Sequence, residues 1–205
     1  MVRTLVPGLK FPTSQRDEIK ACYPILEKTI QKANPQIIVP LGNVAFKRIV
    51  RKSGITKYNG ILVIFMCNHC PYVKAKAEAL NELYEKFGDK IGIIGINSND
   101  STNYPDDSFE NMKKTAKEKG FKFDYLVDET QEIAKKYGAM CTPDPFLFNN
   151  KKELVFHGRI DNAMKPDDSP TEKTMISNIE KLLAGKKIEK DFDPSIGCSI
   201  KWKEN

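Results

Sequence analysis

The feature that most limits how this chain can fold is an alternation, beginning at Ile61, of short apolar runs with segments of helical spacing. Residues 61–65 form a continuous apolar run of strand length, and residues 73–87 then carry apolar side chains on one helical face that ends at Gly88. A second apolar run follows at residues 91–96. Strands that alternate with helices in this way predict an α/β domain with a central sheet.

The alternation continues along most of the remaining chain. It predicts a helix at 108–119, a strand at 123–127, a helix at 130–137, strands at 146–148 and 154–156, and a helix at 171–183. The tail from Lys186 onward has little periodicity. Residues 1–56 predict a separate helix–strand–helix segment, placed before an α/β domain of residues 57–205.

The composition is that of an ordinary globular protein, with 40% hydrophobic and 29% charged residues. The net charge of +6 is mild and its basic residues are interspersed with acidic ones, so the charge does not indicate nucleic-acid binding. No apolar stretch approaches the roughly 18 residues that suggest a membrane span, and the five cysteines do not form a secreted disulfide pattern. We therefore predict a cytoplasmic protein without a membrane partner.

A Cys-Asn-His-Cys motif at residues 67–70 lies directly after the first predicted strand and directly before the first predicted helix. A helix N-terminus lowers the pKa of a nearby thiol, and the thiolate is the reactive form. Two intervening residues also allow Cys67 and Cys70 to close a small, reducible disulfide ring. The positive form of His69 would stabilise a thiolate further. Reversible thiol oxidation is the chemistry that this arrangement favours.

Two other interpretations of the motif exist. A C-x-x-C pair can be half of a zinc site, with Cys67, His69 and Cys70 as ligands, but no second pair of this kind occurs in the chain. A purely structural pair of buried thiols is disfavoured because Asn68 and His69 suggest a loop that faces solvent. We therefore predict redox chemistry that needs neither a metal nor an organic cofactor.

Four motifs in order resemble the peroxiredoxin-like, AhpC/TSA-type branch of the thioredoxin superfamily. They are CNHCPYV at 67–73, INSND at 96–100, CTPD at 141–144 and GCSIKWK at 197–203. The resemblance covers about residues 60–205 and implies a thioredoxin-like fold, with a central mixed sheet flanked by helices, here preceded by the N-terminal extension. It also implies that Pro143 is a cis-proline facing the active site. Thr142 would then offer backbone hydrogen bonds to a bound substrate.

The same resemblance implies roles for the two cysteines. In thioredoxins the first cysteine attacks and the second resolves, which makes Cys67 the nucleophile and Cys70 the resolving thiol of a thiol-disulfide oxidoreductase. Its partners would be protein disulfides and a reductant of the thioredoxin or thioredoxin reductase type. The alternative is a thiol peroxidase with antioxidant function, but Val63 and Cys67 stand where a peroxiredoxin has its Pro and Thr.

Other positions depart from the family pattern. Ile61 and Met66 stand where thioredoxins have a buried carboxylate and a Trp, so the proton acceptor is not identified. Cys141 and Cys198 are candidates for additional redox thiols. For Cys141 we favour a buried structural thiol, and for Cys198 an anchor of the tail. Arg159 is interpreted as a surface residue.

Residues 3–60 resemble a fragment of an iron-sulfur uracil-DNA glycosylase, through the segments DEIKACYP at 17–24 and PQIIVPLGNVA at 35–45. Cys22 matches one cluster ligand of that family, but the other three have no counterparts. Neither histidine is followed by the proline that the family needs. We therefore do not predict base excision, and a metal-handling or DNA-associated binding protein remains only a third alternative.

Overall fold

The computed structural model describes Lys28 and residues 58–204. From Tyr58 onward the described residues belong to one compact unit, which begins at Ile55. Apart from Lys28, which is helical and exposed, the predicted helix–strand–helix segment lies outside the described residues. That segment and its boundary at residue 56 stay predictions.

The described strands are β1 Gly60–Phe65, β2 Ile91–Asn97, β3 Asp124–Val127, β4 Cys141–Thr142, β5 Asp144–Asn149, β6 Leu154–Gly158, β7 Phe192–Asp193 and β8 Cys198–Ser199. The described helices are α1 Pro71–Ala75, α2 Ala77–Phe87, α3 Phe109–Lys119, α4 Glu132–Tyr137 and α5 Thr174–Leu183, with a 3-10 turn at Pro105–Asp107. In this part of the chain, no helix combines the length and the apolar character needed to cross a membrane. The cellular location stays a prediction.

Six strands form one mixed sheet in the order β3-β2-β1-β5-β6-β7. The pairs β1–β2 and β2–β3 are parallel, whereas β5 is antiparallel to both β1 and β6. The central strand β1 is buried at every position except Ile61, where burial is partial. A strand covered on both faces needs apolar side chains on both, which explains its uninterrupted apolar run. The predicted α/β architecture is confirmed.

Side chains alternate between the two faces of β1 and thereby join two apolar clusters. Leu62 and Ile64 belong to the larger cluster, which is completed by α2 and α5. Val63 and Phe65 belong to the smaller cluster on the other face. The larger cluster also contains both sulfurs of the C-x-x-C motif. The core therefore extends up to the candidate redox pair.

The single helix predicted across residues 73–87 is two helices, α1 and α2, which meet at Lys76 with φ −90° and ψ 1°. The Lys76 ammonium group forms a mostly buried ion pair with the Asp161 carboxylate. Apolar spacing continues across the break, because Val73, Ala77 and Leu80 all face the core. Periodicity alone therefore could not reveal it.

The tail segment, residues 197–203, contains a strand that the sequence analysis did not predict. Strand β8 pairs antiparallel with β4, so that Thr142 lies opposite Cys198 and Cys141 lies opposite Ser199. The Ile200 amide continues the pairing by donating to the Met140 carbonyl oxygen at 3.2 Å. A strand of two residues is too short to produce a periodic pattern, which is why the spacing of residues in the tail did not predict it.

Buried polar groups hold the tail segment beyond β8. The Gln131 side chain donates to the Lys201 carbonyl oxygen at 2.8 Å and accepts from the Lys203 amide at 2.8 Å. The Lys201 amide donates to the Asn99 side chain at 2.9 Å, and the Asp100 amide donates to the Lys201 carbonyl oxygen at 2.8 Å. The tail segment is thus fixed by contacts that do not involve its cysteine.

Gly158 at the end of β6 provides a test of this packing. Its φ of +147° disfavours other residues, and an added Cβ would lie 1.7 Å from the Asp193 carbonyl oxygen of β7. We expect Gly158→Ala to lower the free energy of unfolding by roughly 1–3 kcal/mol beyond the cost in Gly185→Ala. At Gly185, φ is +66° but a Cβ meets nothing within 4 Å. Urea denaturation followed by circular dichroism measures the difference; equal losses in both variants would contradict the packing argument.

Candidate active site

The Cys-Asn-His-Cys loop connects β1 to α1, and both of its cysteines are free thiols. Cys70 is the N-cap residue of α1, and its carbonyl oxygen accepts from the Lys74 amide at 3.0 Å. Cys67 is 1% exposed and Cys70 is 0% exposed. Asn68 is buried as well, and only His69 is partly exposed. The expectation of a solvent-facing loop is therefore wrong.

The Asp107 carboxylate explains why this polar loop is buried. It comes from the 3-10 turn and accepts from the Asn68 amide at 2.7 Å and from the His69 amide at 3.3 Å. Its second oxygen lies 2.5 Å from His69 Nδ1 and accepts from Asn99 Nδ2 at 2.8 Å. Buried amides need such partners, and one fully buried carboxylate supplies them for two successive loop residues.

Thr142 contacts both sulfurs from the opposite side. Its hydroxyl oxygen lies 3.3 Å from Cys67 Sγ, and its carbonyl oxygen accepts from Cys70 Sγ at 3.1 Å. The Thr142–Pro143 peptide bond is cis, as the resemblance implied. The structure thus brings the two predicted substrate-binding residues to the cysteine pair.

The two thiols share a hydrogen bond that affects their pKa values in opposite directions. This bond lowers the pKa of Cys70 to about 4, against the burial that raises it; Cys198 and the Val73 backbone lower it further. The pKa of Cys67 is raised above its ordinary value, first by the same bond, then by burial and by the Asp107 carboxylate.

The Thr142 carbonyl oxygen opposes ionisation of Cys70, because it can only accept a hydrogen bond and therefore favours a protonated sulfur there. The two sulfurs titrate as a pair rather than as independent groups. The pair gives up one proton readily and holds the second firmly. The position of the second, firmly held proton therefore determines which of the two sulfurs is the thiolate.

The two further cysteines lie close to this pair but differ in their contacts. The Cys198 thiol hydrogen-bonds to the Cys70 sulfur; burial and then this contact raise the pKa of Cys198 to about 11, while Lys201 lowers it. Cys141 Sγ instead donates to the Pro143 carbonyl oxygen at 3.7 Å. Burial, followed by the Asp144 carboxylate, raises the pKa of Cys141 to about 12. Of these two thiols, Cys198 is the one that packs against the apolar cluster containing the candidate redox pair.

A metal site at the motif would have a different ligand set from the Cys67, His69 and Cys70 set that the sequence suggested. Among the described residues, Cys67, His69 and Asp107 offer ligand atoms that all lie within 4.8 Å of one another. However, His69 Nδ1 and the Asp107 oxygen are 2.5 Å apart, whereas two ligands of a tetrahedral zinc ion are separated by about 3.3–3.8 Å. An ion would have to break this hydrogen bond, so the cluster fits a hydrogen-bonded site better.

Three acidic or basic residues of this region make contacts that the sequence did not predict. Asp107 follows another aspartate in a Pro-Asp-Asp turn, and nothing in the pattern singles it out. Asp144 accepts from the Met140 amide at 3.1 Å and pairs with His157 Nε2 at 2.7 Å, next to the cis-proline. Arg159 forms ion pairs with Asp193 at 3.1 Å and Glu172 at 3.5 Å, so it is a structural residue rather than an unpaired surface one.

A model of the AhpC/TSA family matches residues 30–157. None of the curated proteins compared with the chain matches it significantly. The family match covers the second half of the segment that resembles a glycosylase, and no finding supports that resemblance.

Two solved structures of similar sequence provide relatives with a known fold. An uncharacterized conserved protein from Geobacillus kaustophilus is 40% identical, covering 74% of this chain and 81% of that chain with a TM-score of 0.68. A hypothetical protein from Sinorhizobium meliloti is 36% identical, covering 74% of this chain and 84% of that chain with a TM-score of 0.70.

A thioredoxin-like protein in its oxidised form is 18% identical, covers 63% of this chain and 81% of that chain, and has a TM-score of 0.51. This likeness confirms the predicted thioredoxin-like fold. Because a family model spans more than half of the chain and two relatives exceed a third in identity, we conclude that the chain belongs to the AhpC/TSA family.

Proposed function

We propose that this protein is a thiol-disulfide oxidoreductase that acts on protein disulfides through Cys67 and Cys70. The observation that carries the proposal is that the two free thiols of the C-x-x-C motif both contact Thr142 beside a cis-proline. A pair that readily gives up one proton has the thiolate that disulfide exchange requires. Membership in a thioredoxin-like family supports the same chemistry.

The surroundings of the two sulfurs favour Cys67 as the attacking thiol. Cys70 is contacted by Cys67, by the Thr142 carbonyl oxygen and by Cys198, so protein groups surround it. Cys67 lies beside the partly exposed His69 and faces the Thr142 hydroxyl, which can donate to a thiolate. Because both sulfurs are buried, the substrate reaches Cys67 only when the loop or the tail segment moves.

Reduction of a substrate then proceeds in two exchange steps. The Cys67 thiolate attacks one sulfur of the substrate disulfide, which forms a mixed disulfide and releases the other substrate sulfur as a thiolate. Cys70, as thiolate, attacks the Cys67 sulfur, forms the Cys67–Cys70 disulfide and releases the second substrate thiolate. The substrate gains the two electrons that the pair loses. A dithiol reductant of the thioredoxin type restores the pair.

His69 and Asp107 together take the place of the carboxylate missing at Ile61. A nitrogen of His69 and an oxygen of Asp107 each lie within 4.8 Å of Cys67 Sγ, and the hydrogen bond between them holds the imidazole in place. His69 is therefore suited to exchange the proton that Cys67 loses and regains. Tyr104 stacks on the imidazole at 5.6 Å between ring centroids and restricts its rotation.

The tail segment limits how a substrate can bind. The family resemblance implied that the Thr142 backbone pairs with a substrate chain, but β8 of the same protein already pairs with it. One strand edge accommodates one partner. A protein substrate can therefore use the Thr142 edge only after β8 has left it, and otherwise reacts through side-chain contacts alone.

Thiol peroxidase activity is a second candidate, favoured by the family and by the lowered pKa of Cys70. Cys70 occupies the place of the peroxide-attacking cysteine in peroxiredoxins. However, its neighbour at the place of the assisting Thr is Cys67, and Val63 stands at the place of the Pro. A thiolate in these surroundings has fewer groups to orient a peroxide.

Insulin reduction with dithiothreitol tests the oxidoreductase proposal. We expect Cys67→Ser to lower the rate at least about 100-fold because the attacking sulfur is gone. Cys70→Ser should instead accumulate a mixed disulfide between Cys67 and insulin. Cys141→Ser is the matched control, since its sulfur faces the Pro143 carbonyl oxygen, and it should keep the wild-type rate. Full activity of Cys67→Ser would contradict the assignment.

The shared proton of the pair should be visible in a pH titration of thiolate absorbance. Because the pKa of Cys70 is about 4, reduced wild-type protein should keep one thiolate at neutral pH and lose it only as the pH falls towards that value. Cys67→Ser removes the largest cause of the lowering, so its Cys70 thiolate should disappear at higher pH. A variant with serine at both positions supplies the baseline. Identical titrations of wild type and Cys67→Ser would refute the shared proton.

Peroxide consumption by the same variants distinguishes the second candidate. A peroxidase that uses Cys70 should lose its activity in Cys70→Ser. It should form a sulfenic acid at Cys70, detectable with dimedone, in Cys67→Ser/Cys198→Ser, where no neighbouring thiol consumes it. An oxidoreductase without peroxidase activity should consume peroxide no faster than the variant with both cysteines replaced by serine. The second outcome is the one we expect, because Val63 and Cys67 replace the orienting residues.

A further inference from the structure

Strand β8 places a third thiol against the redox pair. Thr142 is the register partner of Cys198, and side chains of directly opposite residues lie on the same face of a two-stranded ladder. From that face the Thr142 hydroxyl contacts Cys67, while the Thr142 backbone carbonyl oxygen contacts Cys70. Cys141 and Ser199 form the next pair, whose side chains lie on the other face. The register therefore places Cys141 and Cys198 on opposite faces of the ladder, with Cys198 on the face of the Thr142 side chain.

The close approach of the tail to Thr142 depends on Gly197. A Cβ at this position would lie 2.1 Å from the Thr142 carbonyl oxygen, the same oxygen that accepts from Cys70 at 3.1 Å. Gln131, Asn99 and Asp100 hold the tail segment on the far side of β8. Because those residues already anchor the tail segment, the position of Cys198 next to Cys70 is not needed to hold the tail in place.

We propose that Cys198 is a second resolving thiol, which attacks Cys70 in the Cys67–Cys70 disulfide, forms a Cys70–Cys198 disulfide and releases Cys67 as a thiolate. This inference rests on the proposed function. The step exchanges one disulfide for another, so it consumes no oxidant or reductant. The protein stays oxidised by the two electrons that the substrate took. A dithiol reductant later reduces Cys70–Cys198.

The arrangement of sulfurs suits this exchange. Cys198 packs against the apolar cluster that contains Cys67 and Cys70, and it lies opposite Thr142, which contacts both of these sulfurs. A third sulfur therefore lies beside the pair, as a second disulfide exchange requires. The ionisation of Cys198 also becomes easier once the pair is oxidised. Two of the causes that raise the pKa of Cys198 are the hydrogen bond with Cys70 and the charge of Cys70, and both end when Cys70 enters a disulfide. The attraction of Lys201 for a thiolate remains.

The full-length Cys67→Ser protein isolates the proposed bond. After reduction, removal of reductant and treatment with diamide, which accepts two electrons, we expect an intramolecular Cys70–Cys198 disulfide as the main product in a peptide mass map. Cys67→Ser/Cys141→Ser should give the same bond, because Cys141 contacts the Pro143 carbonyl oxygen instead. Cys67→Ser/Cys198→Ser should leave Cys70 free or link it between molecules. If Cys70 pairs with Cys141 or Cys22 in the single variant, the proposal is wrong.

Wild-type protein trapped with acid and alkylated during insulin reduction separates this inference from the proposed function. If both Cys67–Cys70 and Cys70–Cys198 peptides are found, both stand. If insulin is reduced and only Cys67–Cys70 is found, the second resolving thiol is overturned while the oxidoreductase remains. If insulin is not reduced but Cys67→Ser forms Cys70–Cys198 with diamide, the proposed function is wrong. The exchange from Cys67–Cys70 to Cys70–Cys198 during turnover is then wrong as well.

Discussion

Thr142 is the residue on which the site depends, because three parts of the chain meet there. Its hydroxyl contacts Cys67, its carbonyl oxygen contacts Cys70, and its backbone pairs with β8. The polar atoms of one residue thereby contact both sulfurs of the C-x-x-C motif and the tail. A change in the path of β4 would move all three contacts at once, so the candidate redox pair and β8 depend on the same stretch of backbone.

A second constraint is the burial of a polar loop in a largely apolar core. The larger apolar cluster surrounds Cys67 and Cys70, while the loop between them carries amides that cannot be left without partners. The Asp107 carboxylate satisfies these amides and brings a negative charge close to Cys67. A single acidic side chain thus both holds the loop and raises the pKa of the nearby thiol. A nitrogen of the His69 imidazole lies within 4.8 Å of the same sulfur.

Much of the fold could be predicted from the sequence because the apolar side chains of its central elements either form a continuous run or recur at helical spacing. The continuous apolar run of β1 and the apolar face of α2 are examples, and the position of the cysteines between them followed directly. The β4–β8 pair could not be predicted, because two strands of two residues each have no period and are defined by backbone pairing. The break at Lys76 was hidden for the opposite reason, since the apolar spacing continues through it. The burial of Asn68 depends on Asp107, some forty residues away, and no local pattern contains that contact.

The way Gln131 holds the tail has a consequence for observing the protein at work. Its side chain hydrogen-bonds to the backbone of Lys201 and Lys203. These residues flank Trp202, the single tryptophan of the sequence. The Lys135 ammonium lies 5.7 Å from the centre of the indole ring, so the ring has a defined and charged neighbour. A movement of the tail segment away from Gln131 and Lys135 alters that neighbourhood. The protein therefore carries an intrinsic fluorophore whose emission follows the tail without an attached label.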